Sequence, residues 1–214
     1  MDKQKRRQAE PAQLERRTVS MTELRVLSEG DEEATKPIIE GHAAVFNQWS
    51  EELGGMFSFR EKVMPGAFKE TIQVDDIRAL FNHDPNYVLG RNRSGTLELK
   101  ETQKGLLVRI TPPETQWAKD LLVSIDRGDI SQMSFGFLVI EDRWGTEDGG
   151  DIRELHKVKL FDVSPVTFPA YPQTDVGVRG ALLSYERHLK EVSEAEESRA
   201  RQRLELIKRK IQLF

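Results

Sequence analysis

Two side chains in this sequence could pass a proton between them and so do chemistry. They are His83, in the run Leu80-Phe81-Asn82-His83-Asp84, and Ser134, in Met133-Ser134-Phe135-Gly136-Phe137. A serine hydroxyl is a poor nucleophile until a neighbouring base takes its proton, and histidine suits that task near neutral pH. His83 directly follows an apolar, strand-like run at 77–81 and sits in the turn cluster Asn82-His83-Asp84-Pro85. A strand end of this kind can aim a side chain into a cleft. Ser134 is a small hydroxyl in an otherwise apolar strand, and Gly136 beside it leaves room for a substrate backbone. Asp162, on the later segment Leu160-Phe161-Asp162-Val163, could orient the imidazole and support its cation. Each also has a plain reading as turn histidine, packed serine or surface strand carboxylate. If the pair works as base and nucleophile, activity falls as pH drops through about 6 to 7, where ordinary histidines titrate.

Other chemistries lack their residues. There is no cysteine, so disulfides, thiolate zinc sites and a thiol nucleophile are excluded. The remaining histidines, His42, His156 and His188, stand apart from one another, and no HExxH or carboxylate cluster with metal-ligand spacing occurs. No metal and no cofactor is expected. Neither GxGxxG nor GxxxxGK[ST] is present, which leaves nucleotide binding without support.

The elements that must position these side chains read as mainly β. Residues 38–46 suit a strand broken by Gly41, and 66–71 look like a short helix after the Pro65-Gly66 turn. The alternating segments TLELKE and LLVRIT predict a hairpin, with Gly105 supplying a positive φ. A helix is expected to follow, with Thr111 as N-cap, Pro112 first, Glu114 completing a capping box, and Trp117, Leu121, Leu122 and Ile125 on one apolar face. Residues 132–144 and 152–163 predict two more strands around a mobile polar loop at 145–150. The closing segment SPVTFPAYPQT is too rich in proline for a helix.

The charge divides the chain of 214 residues into three parts. Six basic and three acidic side chains occupy residues 1–18, and nine and six occupy 179–214. Each tail is thus +3, and against a net charge of −4 residues 19–178 carry −10. The reading is a flexible basic arm over 1–18, a folded domain over 19–178 and a charged amphipathic helical tail over 179–214. An acidic body argues against a nucleic-acid binder. No apolar run approaches the roughly 18 residues that span a bilayer, and the N-terminus lacks the apolar segment of a secretory signal. In the tail, Ala200, Leu204, Ile207, Ile211 and Phe214 form one stripe suited to a partner helix or to self-association.

In order and spacing, FREKVMPGAF, LFNHD, LGR, MSFGF and LFDVSPVTFPAYPQT resemble the prohead proteases of tailed bacteriophages, over about residues 37–178. The resemblance implies an α+β, mainly β fold: a closed or partly open β-barrel flanked by helices, similar to the herpesvirus assemblin proteases, here with a long C-terminal helix. Those enzymes use His, Ser and His in chain order. By that order the base falls on His83, the nucleophile on Ser134 and the third position on Asp162, where no histidine stands; Asp84 and His156 are rivals for it. Oxyanion donors would be backbone N–H groups at 167–171 or beside the nucleophile. The implied function is a serine endopeptidase that cuts scaffold or major capsid protein, and itself, inside the assembling prohead in the host cytoplasm. A catalytically silent assembly protein with the same fold is the alternative.

Overall fold

The computed structural model describes residues 14–19, 23–29, 36–53, 58–168, 181 and 184–195. The elements in chain order are β1 (Glu15–Val19), β2 (Arg25–Glu29), β3 (Lys36–Val45), β4 (Phe59–Val63), α1 (Thr71–Val74), β5 (Arg78–Phe81) and β6 (Asp84–Arg91). A single 3-10 turn (Asn92–Ser94) leads to β7 (Leu97–Glu101), β8 (Gly105–Ile110), α2 (Gln116–Asp126), β9 (Gln132–Glu147) and β10 (Gly150–Val166). A further helix covers 184–195.

The strands form two sheets rather than one closed ring. Six make the order β1-β9-β10-β5-β6, with β4 also on β10, and four make β2-β3-β8-β7. An isolated parallel bridge, Phe46 to Val63, joins them on one side. Between them lies one core, with Met133, Phe135, Phe137, Leu160 and Val163 from the larger sheet and Ile39, Leu106, Val108 and Ile110 from the smaller. Burying a side chain of this kind contributes roughly 1.5–3 kcal/mol. Phe68 packs edge-on against Phe135 at 5.5 Å, and Leu121 and Ile125 bring α2 onto the same core. The fold is therefore mainly β, as expected; of the closed or partly open barrel, closure is not seen among the described residues, whose strands form two packed sheets. The long C-terminal helix is described only over 184–195, and the 200–214 stripe lies outside the described residues.

Several boundaries move for identifiable reasons. Residues 15–18, read as the end of an arm, form β1, because Glu15 and Arg17 are drawn into a buried charge cluster with Arg153 and Glu61. Residues 1–13 of that arm lie outside the described residues. The helix start shifts from Pro112 to Gln116, with Thr115 in extended geometry as N-cap. A residue before proline is pushed out of the helical region, and both Thr111 and Pro112 precede one. The loop expected at 145–150 is instead strand up to a two-residue turn at Asp148-Gly149, both at positive φ, as tight hairpins favour. β3 runs unbroken through Gly41, and the helix expected at 66–71 falls at Thr71–Val74. Gly105 serves close approach rather than a positive φ: a Cβ there would lie 1.9 Å from the Ala44 carbonyl oxygen.

Candidate active site

The turn that joins β5 to β6 is two residues long, Asn82 and His83, with φ of 54° and 58°. A right-twisted hairpin favours this left-handed pair, and asparagine and histidine are among the few non-glycine residues that tolerate it. The turn is held in place from the side. Asn82 N–H donates to the Pro165 carbonyl at 3.0 Å, Thr167 N–H donates to Asn82 Oδ1 at 2.9 Å, and Asn82 Nδ2 donates to Thr167 Oγ1 at 3.1 Å. Arg91 on β6 grips Asp76, just before β5, through two bonds of 2.7 and 2.6 Å. Those bonds hold the Asp76 carboxyl down at about 2.

From this turn the His83 ring reaches across β10 to β9. Its Nε2 lies 2.7 Å from Ser134 Oγ and its Nδ1 lies 2.5 Å from Asp162 Oδ2. An ionised carboxylate only accepts hydrogen bonds, so Nδ1 carries the ring proton and Nε2 is left to accept from the serine hydroxyl. That tautomer is the one a general base requires. The ring and the carboxylate are both largely screened from water, and Ser134 is fully buried.

A β-bulge puts Asp162 on the right face. Leu160 pairs with Phe137 and Asp162 with Gly136, so Phe161 is an extra residue without a partner. In strict alternation Asp162 would share the core face with Leu160, whereas the bulge turns it to the face of Ser134. Gly136 then makes room for that carboxylate: a Cβ there would stand 2.4 Å from Asp162 Oδ1. Space for a substrate backbone, the role read from sequence, is not what this glycine supplies.

The structure thus brings His83, Ser134 and Asp162 into one hydrogen-bonded line. Asp84 instead accepts from the Asn86 backbone and side chain at 2.8 Å, and His156 pairs with Glu154 at 3.2 Å. Neither is bonded to His83 among the described residues. One polar member went unnoticed in the sequence. Ser164, opposite Ser134 across the ladder, donates to Asp162 Oδ2 at 2.9 Å. Its position two residues after Asp162 on a strand was the available signal. A serine activated by this base can attack a carbonyl carbon and form an acyl-enzyme.

A family model described as the caudovirus prohead serine protease matches residues 22–191. Among solved structures, the bacteriophage T4 capsid assembly protease, gp21, is similar with a TM-score of 0.45 and 12% sequence identity, covering 72% of this chain and 99% of that one. No curated protein matches the chain significantly.

Proposed function

Since the chain belongs to the caudovirus prohead serine protease family, we propose that it is an active serine endopeptidase that cuts scaffold or major capsid protein, and itself, within the assembling prohead in the host cytoplasm. The observation that carries this reading is the line of hydrogen bonds from Asp162 through His83 to Ser134.

In the first step Ser134 Oγ bonds to the scissile carbonyl carbon while His83 Nε2 takes the hydroxyl proton. Asp162 stays ionised and steadies the imidazolium. The tetrahedral intermediate then expels the amine, which leaves with the proton that Nε2 returns, and an acyl-enzyme remains. Water repeats the sequence: it gives a proton to Nε2, its oxygen attacks the ester carbon, and Ser134 departs with the proton restored. The oxyanion needs N–H donors, expected near Ser134 or at 167–171; Thr167 N–H is already given to Asn82 Oδ1 and Ser134 is paired with Thr18 and Ser164 on its two sides, while residues 169–171 lie outside the described residues. Losing one such donor typically costs about 3 kcal/mol of transition-state stabilisation.

The test is mass spectrometry of capsid protein coexpressed with the intact chain and with Ser134→Ala. The serine variant is expected to leave capsid protein and protease uncut, and processing at the normal rate would remove Ser134 as nucleophile. An intact chain that never cuts would favour the silent assembly protein. Asp162→Asn, which presents the wrong hydrogen-bonding group to Nδ1, is expected to lower kcat on the order of 10⁴-fold.

The C-terminal tail is proposed to recruit the enzyme to scaffold or to a second copy of itself. Its first turns belong to the folded domain. Ala181 is buried, Ser184 donates to Asp142 Oδ2 at 2.6 Å, and Tyr185 packs on Trp144 at 5.0 Å. A deletion that tests recruitment therefore starts at 196. It should preserve peptide cleavage and abolish entry into proheads; normal entry would refute this role.

A further inference from the structure

Ser164 stands on β10 directly across from Ser134 and is fully buried. Its Oγ is 2.9 Å from Asp162 Oδ2 and 3.4 Å from His83 Nδ1. The oxygen it binds is the one that His83 Nδ1 meets at 2.5 Å, so two hydrogens converge on a single carboxylate oxygen. The other oxygen, Oδ1, lies over Gly136 where no side chain could fit. A carboxylate turns readily about its last torsion, and here its Oδ2 is met by two donors, from His83 and Ser164.

We propose that Ser164 is a positioning residue of this site, fixing the Asp162 carboxylate and tempering the charge that it presents to His83. The inference rests on the triad reading above. A hydrogen bond to an ionised acceptor is about twice as strong as a neutral one, and this one draws negative charge away from the imidazole. Without it the carboxylate gains rotational freedom and faces the ring with more of its charge. The first effect lowers the rate of the proton transfer. The second favours imidazolium, so the neutral base exists only at higher pH.

The experiment is the pH dependence of kcat and kcat/KM on purified capsid protein for wild type, Ser164→Ala and Ser164→Thr, with Ser134→Ala as control. Ser164→Ala is also placed in an Asp162→Asn background. Ser164→Ala is expected to reduce kcat about tenfold with KM nearly unchanged. The acid limb of its kcat/KM profile moves to higher pH, and Ser164→Thr, which keeps the hydroxyl, restores it. In the Asp162→Asn background Ser164→Ala adds little further loss, because the partner it serves is gone. An unmoved acid limb, or an equal loss in both backgrounds, would show a purely structural serine and overturn the proposal. An inactive Ser134→Ala beside a Ser164→Ala that matches wild type would overturn it alone and leave the protease reading standing. A Ser134→Ala that still cuts would overturn both.

Discussion

At Gly136 a single hydrogen atom decides whether the site can form. The Asp162 carboxylate occupies the volume that any side chain would need, with Oδ1 only 2.4 Å from an added Cβ. Gly136→Ala is therefore expected to push the carboxylate off His83 and lower kcat at least about a hundredfold, since displacements near 1 Å can cost that much. Overpacking should also remove about 1–3 kcal/mol of stability in urea unfolding. Wild-type kcat in this variant would mean that the carboxylate is dispensable or can be re-formed elsewhere. The sequence shows a glycine after the serine but says nothing of what fills the gap. That depends on a strand 26 positions later in the chain and on the bulge at Phe161.

The β5–β6 hairpin is an element whose register matters more than its burial. Its turn asks Asn82 for two separate things, a left-handed backbone and three hydrogen bonds, one to Pro165 in β10 and two with Thr167 just past that strand. Glycine can supply the backbone but not the side-chain bonds, and alanine supplies neither. Asn82→Ala is expected to be about 1–2 kcal/mol less stable than Asn82→Gly in denaturant unfolding, while both lose activity through a loosened His83. Equal stabilities would mean that the turn relaxes out of its left-handed form. The Arg91–Asp76 clamp gives this element a distinct pH signature. Because the hydrogen bonds from Arg91 depress the Asp76 carboxyl to about 2, the clamp is complete above the ordinary carboxylate range, near pH 4, and is lost only as pH falls through about 2. Asp76→Asn should thus weaken the hairpin without moving the acid limb of activity. A limb that moves with this variant would assign the pH dependence to the hairpin and not to the histidine.

Across the whole molecule, both terminal segments are tied to one guanidinium. Arg153 is buried and bonds Glu15 of β1, Glu61 of β4 and Asp142 of β9, and Asp142 also accepts from Ser184 of the C-terminal helix. Burial works against the charge on Arg153, but Glu15 and Glu61 outweigh it and hold the group protonated beyond its ordinary range. Arg153→Met would leave Asp142 without its cation and two buried carboxylates, Glu15 and Glu61, sharing Arg17 alone. The expected loss is about 3–5 kcal/mol in urea unfolding, with exposure of the N-terminal segment to limited proteolysis. Replacing Glu15 and Glu61 by glutamine in the same chain should recover part of it. A near-neutral single variant would mean that water enters the cluster.

Local pattern made much of this protein legible. Alternation marked the β7–β8 hairpin, a helical stripe marked α2, and the histidine after an apolar run and the serine inside one marked the two side chains that now meet. Such signals travel through neighbouring residues, whose periodicity and turn preferences are written in consecutive letters. What required the folded chain was every relation between distant segments. β1 was invisible as a strand because its partner charges lie 44 to 138 positions away. Likewise no local rule could turn Asp162 toward the serine's face, since a bulge is a mismatch between two strands and belongs to neither. Hydrogen bonds and burial depend on which segments become neighbours in space, and that choice is made by the packing of all of them together.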